Sequence, residues 1–318
     1  TSSTSTTTAQ ETTTEAMPDA NPSGTYGGNE ILAARVSDIV PEAMLISGES
    51  IKPSDFTVYK NKYPVGQEGA LYEITAEIEK QTEDNFAKFA HILGYEKKNT
   101  EYKINEKSFL YDEDSDISSG VESASVIAEC AGLSTDTTSH ELYKMLKTDR
   151  TLKAACEYAG LNDDVVITKS LMYNVDGSIN GVDFVIYEKS TSTALLVKNN
   201  KFKYVNVVCL SGTKTAAVIT TLRTEEKAEI EFTPVSFADA VSECAKRYAQ
   251  GTGKEADKDR MTTCEVEYSA KIYRDYYVPC YVFTLEVDNP VKDSKLKAFE
   301  QYYIPMFTSA EAEIFSAG

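Results

Sequence analysis

At 318 residues the chain has room for two ordinary domains, or for one large domain with a tail. Its 50 acidic and 32 basic residues leave a net charge of −18, which repels nucleic acid and anionic lipid headgroups, because phosphate binding needs clustered Lys and Arg. His91 and His140 are the only imidazoles, so histidine-based acid/base or metal chemistry is hard to build. No apolar run approaches the roughly 18 residues that cross a bilayer.

Residues 1–15 read TSSTSTTTAQETTTE, and MPDANPSGTYGGNE extends the pattern with Pro and Gly. Small hydroxyl residues without apolar periodicity cannot bury enough surface to offset the entropy of ordering the chain. The expectation is a disordered tether over 1–28, followed by an N-terminal domain over 29–161 and a C-terminal domain over 162–318. The chain opens at Thr1 without a basic n-region or apolar h-region. Its start resembles the stretch after the lipidated cysteine of Gram-positive surface lipoproteins. That implies an extracytoplasmic, cell-surface location, with an N-terminal lipid as the membrane contact. An inter-domain linker or a vector remnant shares the composition.

From Asn29 to Gly48 the pattern is helical or mixed. LYEITAEI (71–78) alternates and predicts a half-buried strand. Thr82 then caps a predicted helix carrying Phe86, Phe89, Ala90 and Leu93, which Gly94 ends. TEYKIN and KSFLYD predict two short strands, and 122–161 reads as helical. Next comes a change to β structure. VVITKSLMYNVDGSINGVDFVIYE predicts a hairpin turning at Asp176–Gly177. TALLVK, FKYVNVVCL and KTAAVITTL extend it to a meander of about five strands, with turns at Asn199–Asn200 and Ser211–Gly212. Ser236 and Asp239 begin a helix running to about Tyr248. CEVEYSAKIY, YYVPCYVFTLEV and AFEQYYIPMF close the chain as strands, the first placing Glu265, Glu267 and Lys271 on its polar face. The fold class is therefore α+β, with antiparallel sheets and packed helices.

Motifs for chemistry fail on position. Asn174, Asp176, Gly177, Ile179, Asn180 and Asp183 resemble a calcium loop, but Met172 stands at the first ligand position and the flanks are β-patterned. Asp112, Glu113, Asp114 and Asp116 alternate, but Ile117 replaces the turn glycine. Ser211-Gly-Thr-Lys214 fits Ser-x-x-Lys without the accompanying Lys-Thr-Gly. His140–Glu141 begins a metalloprotease pattern that Lys144 breaks. These observations lead us to expect no cofactor, no metal and no catalytic site. A carboxylate pair among so many acids remains an alternative, although the absence of Trp is unlike most glycosidase clefts. The six cysteines form no Cys-x-x-Cys pair. Cys130–Cys156 and Cys264–Cys280 are the favoured disulfides if any form, and Cys209, Cys244 and Cys264 fall on apolar faces.

PVSFADAVSECAKRYAQ, CEVEYSAKIYRDYYVPCYVFTLE and KAFEQYYIPMF resemble the YycH/YycI-like group of extracytoplasmic regulatory proteins, and more loosely PepSY-type modules. In the latter a helix precedes strands ending in a Tyr-x-Pro-x-aromatic-x-Phe element, matched here by Tyr277, Pro279, Tyr281 and Phe283. The resemblance covers at most 165–307. It departs in that YycH and YycI proteins carry an N-terminal membrane helix where this chain has the Ser/Thr stretch. It implies a non-enzymatic role through contact with an exported or membrane protein. Tyr276, Tyr277, Tyr281, Tyr302 and Tyr303 cluster in the closing strands as candidate binding residues. A wall-polymer or glycan-binding module and a carboxylate hydrolase are the alternatives.

Overall fold

The computed structural model describes residues 30–64, 75–95, 103–105, 109–112, 114–292 and 294–314. The expected tether over 1–28, residues 71–74 of the expected strand 71–78, and Glu113 of the acidic cluster lie outside them. In chain order come β1 (Ile31–Ala33), β2 (Ile46–Ser47), β3 (Tyr59–Lys60), α1 (Ala76–Leu93), β4 (Lys103–Asn105), β5 (Phe109–Asp112), β6 (Ile117–Ser119) and β7 (Ser123–Glu129). Next are α2 (Ser139–Thr148), α3 (Arg150–Ala159), β8 (Val165–Tyr173), β9 (Ile179–Glu188), α4 (Thr193–Phe202), β10 (Lys203–Leu210) and β11 (Thr215–Leu222). The chain ends with β12 (Thr233–Pro234), α5 (Phe237–Thr252), β13 (Thr263–Ser269), β14 (Tyr276–Val287), β15 (Lys297–Pro305) and β16 (Phe307–Thr308). The class is α+β, with antiparallel sheets throughout the described residues.

Two large sheets each carry a hydrophobic core. One has the order β4-β5-β6-β7-β11-β10-β9-β8. Its inward residues Val126, Val218, Val207 and Phe184 pack with Phe89, Leu142 and Leu152 of α1, α2 and α3. The other runs β1-β15-β14-β13-β2, with β3 also paired to β14, and α5 packs on β14 and β15. The chain crosses between them more than once. β7 pairs with β11 from Ser123↔Thr221 to Glu129↔Thr215, and β1 pairs with β15 from Ile31↔Phe299 to Ala33↔Lys297. The division expected at 161/162 therefore falls within the first sheet and does not separate the two. Distant strands close these ladders, and no local composition marks such pairings.

Several elements differ from their sequence expectation. Ala76 to Ile78 open α1 instead of ending a strand, with Thr75 as the cap: its hydroxyl accepts from the Ile78 N–H at 3.3 Å. Thr82 lies inside the helix, donating to the Ile78 carbonyl at 2.9 Å. Ile78, Thr82, Phe86, Phe89 and Leu93 form its buried stripe, so helical spacing won over a short alternation that fits both periods. TALLVK belongs to α4, which Ser192 caps, so the expected turn at Asn199–Asn200 is helical. The meander is thus four strands, with α4 joining β9 to β10. The expected helical stretch over 122–161 opens with β7 and only then becomes α2 and α3. Of the stretch Asn29–Gly48, the described part from Glu30 holds two short strands and single helical turns. The hairpin at Asp176–Gly177, α5 with its Ser236 cap, and the three closing strands β13 to β15 form as expected.

A half-buried arginine beside a glutamate of the first sheet reaches across to the second. Arg223, just beyond β11, donates to the Tyr277 hydroxyl at 3.1 Å and to the Lys201 carbonyl, and lies 3.8 Å from Glu122. Burial raises the Glu122 pKa, opposed by a backbone N–H and by Arg223. No helix among the described residues is long and apolar enough to cross a membrane.

Candidate interaction surface

The eight-stranded sheet buries one face under α1, α2 and α3; the other is open at the end around Ile127, Leu210 and Ile179, while Tyr187 and Thr221 on that same face are buried. Strand alternation puts Ile127, Ala217, Val208, Asp183 and Ser170 in one outward row, by the pairs Ile127↔Ala217, Ala217↔Val208, Val208↔Asp183 and Asp183↔Ser170. The next row is Leu210↔Gly181↔Met172. Ile127 is 51% exposed, Leu210 47% and Ile179 37%, while Val208, Ala217 and Met172 are half-buried. Gly181 makes the rows continuous. A Cβ there would sit 2.6 Å from Met172 Cε, 2.8 Å from the Cys209 carbonyl and 3.2 Å from Leu210 Cδ2, so both side chains fold over the bare backbone. A contiguous apolar area on a sheet face is characteristic of an interaction site, unlike scattered single exposed residues.

One carboxylate interrupts it. Asp183 accepts a hydrogen bond from the Asn206 side-chain amide through Oδ1, and among the described residues its other oxygen has no partner. Burial pushes its pKa up, ahead of the lowering effect of Asn206. At the β8 edge the segment from Asp38 to Met44 bounds the face. Ser170 Oγ donates to the Ile39 carbonyl at 3.1 Å, Tyr173 to Asp38 at 3.0 Å, and the Tyr187 hydroxyl reaches Met44 Sδ at 2.9 Å. Asp116 and Glu129 border the apolar area with Asp183, and Lys214 lies in the 211–214 turn.

The second sheet holds a cluster of titratable groups. Glu265 and Glu267 share the polar face of β13, where Lys201 of α4 approaches Glu267 at 3.1 Å. The Tyr303 hydroxyl donates to Glu267 at 3.3 Å, and the Lys271 ammonium sits 3.9 Å from the centre of the Tyr303 ring. Burial, then repulsion by Glu267, pushes the Glu265 pKa up to about 8. Lost hydration lowers that of Lys271. Thus Glu265 is neutral at pH 7 while its neighbour is ion-paired, the pattern of a proton donor beside a charged group.

The five candidate tyrosines divide between two faces. Tyr281 is fully buried, donating to the Val235 carbonyl at 3.1 Å, with its ring 5.5 Å from Phe237. Tyr302 is also in the core and bonds Glu300. Tyr277 packs 5.3 Å from Phe202 beside Arg223, and Tyr276 5.5 Å from Phe232. Tyr303 alone of the five joins the Glu267 cluster. They form no common surface.

The 174–178 loop is a hairpin turn: Gly177 has φ 89, and Asp176 accepts from both the N–H and the hydroxyl of Ser178. Among the described residues no group of three or more His, Cys, Asp or Glu could hold a metal ion. All six cysteines are free thiols, so neither favoured disulfide forms. The register places Glu267 opposite Cys280, so Cys264 lies three residues along β13 and on the other face. Cys130 is buried, whereas Cys156 lies on the rim of a cavity between α2 and α3.

The outward apolar rows escape a reading of the sequence by itself, although VNVVCL and VDFVIYE place apolar residues on both faces of their strands. Comparison of the chain with family models, with curated proteins and with solved structures finds no match in any of the three.

Proposed function

We propose that this chain is the extracytoplasmic part of a lipid-tethered surface protein that works by binding an exported or membrane protein and catalyses no reaction. The single observation carrying the binding reading is the apolar outward face of the eight-stranded sheet, centred on Ile127, Val208 and Leu210. Water against such a face is released when a partner covers it, and this drives association. The looser likeness to PepSY-type modules is supported by α5 preceding three antiparallel strands, with Tyr277, Pro279, Tyr281 and Phe283 spaced along one side of β14. Photo-crosslinkers placed at 127 and 210 in intact cells test the reading, with exposed Leu195 of α4 as the control position. One defined protein captured at 127 and 210 but not at 195 supports it. Recovery of wall polymer alone sinks it.

A second reading, a hydrolase built on a carboxylate pair, is favoured by Glu265 held neutral beside Glu267. Turnover of an aryl glycoside that disappears in Glu265→Gln would replace the first reading.

A further inference from the structure

We infer that the outward sheet face takes a cationic, amphipathic polypeptide segment whose lysine or arginine pairs with Asp183 while its apolar side chains cover Val208, Leu210 and Met172. The inference rests on the docking reading above and adds the chemistry of the occupant. Asp183 stands in the same row as Val208, one pair away from the Leu210–Gly181–Met172 row. An occupant that buries these side chains also removes the remaining water from the carboxylate. An unpaired buried carboxylate costs several kcal/mol, so an apolar occupant without a cation would lose much of what the patch contributes. The Asn206 amide occupies Oδ1 and leaves the second oxygen open to a donor. Among the described residues no cation of the chain itself approaches Asp183; burial and Asn206 alone set its protonation. Asp38, across β8, is held by Arg35 at 3.0 Å and by Tyr173, and is therefore not a competing acceptor.

Charge selects the occupant. The chain carries −18, and Asp116 and Glu129 border the patch, so a basic segment is attracted from a distance and an anionic bilayer surface is repelled. A second copy of this chain is a poor fit. A two-fold pairing through the same face brings two Asp183 carboxylates towards each other and two strongly acidic chains together. From Asp183 to Ile127 the row crosses three strand spacings, roughly 14 Å, the reach of four or five extended residues.

The full chain is titrated with a fluorescent seven-residue peptide of alternating leucine and arginine, and with its citrulline counterpart, which keeps the shape and removes the charge. Wild type should bind the arginine peptide at least about tenfold more tightly, in line with a charge-assisted hydrogen bond to a partly buried carboxylate. Asp183→Asn should erase that preference, and Leu210→Glu should weaken both peptides; melting curves confirm that the variants are folded. If Asp183→Asn changes nothing while Leu210→Glu does, the pairing is wrong and the docking face stands. If neither Leu210→Glu nor Ile127→Glu matters, the docking face falls as well. Self-association of the peptide-free chain that Leu210→Glu abolishes would make the occupant a second copy and overturn the inference.

Discussion

Replacing Glu265 by Gln should stabilise the fold near neutral pH, by an amount that depends on pH in a defined way. The carboxyl titrates at about 8 in the fold against an ordinary 4.5, chiefly because β13 is covered and secondly because Glu267 is adjacent. Below 4.5 the group is protonated in folded and unfolded chains alike and contributes nothing to the pH dependence. Between 4.5 and 8 the unfolded chain releases the proton and the folded chain keeps it, so stability falls as pH rises, by up to roughly 1.4 kcal/mol per pH unit. Above 8 both forms are ionised and the loss levels off. Residual hydration of this half-buried side chain reduces the effect, and about 1–3 kcal/mol is expected by pH 7. Glu265→Gln removes the loss. Urea unfolding of both proteins at pH 4.5, 6, 7 and 9, taken as a difference, isolates this group from all others. A difference that stays flat from 4.5 to 8 would show that Glu265 is already ionised in the fold.

Gly48→Ala should cost about 1–3 kcal/mol or more, because its Cβ would lie 1.9 Å from Phe237 Cε1, in the ring that packs on Tyr281; denaturant midpoints measure it. Arg223→Met removes the cation beside half-buried Glu122, leaving it the Thr224 N–H, and should destabilise by about 1–3 kcal/mol. Part of that loss should return as pH falls and Glu122 takes up a proton, which a paired unfolding series at pH 5 and 8 detects. Ser236→Ala removes the acceptor of the Asp239 N–H, 3.1 Å away, and should cost about 1 kcal/mol in thermal unfolding. Thiol titration should find at most Cys156 reactive in the native chain and six thiols after unfolding, since the other five are buried; fewer than six under non-reducing conditions would disclose a disulfide.

Elements whose signal is local were legible in the amino-acid sequence. The 174–178 turn comes from Asp-Gly between two apolar runs, α5 from a serine cap before a 3.6-residue stripe, and β13 to β15 from long alternation. Capping and turn chemistry act over about four residues, so neighbours suffice to decide them. α4 was not legible, because TALLVK suits a buried strand as well as a helix. Ser192 and the placement of Val197 and Phe202 in the core decide for the helix.

The candidate surfaces divide in the same way. Glu265 and Glu267 were assigned to the polar face of their strand by alternation alone, but alternation cannot say that Lys201 of α4 approaches Glu267 or that burial pushes the Glu265 pKa up. Which side of the eight-stranded sheet lies open was decided by where α1, α2 and α3 settle, a choice made by packing between segments far apart in sequence. The acidic charge and the run of β-forming residues belong to the sequence by itself. The apolar rows around Asp183, and the burial of the tyrosines on the two faces of the closing strands, belong to the tertiary structure, because burial depends on which distant segments come to rest on each face.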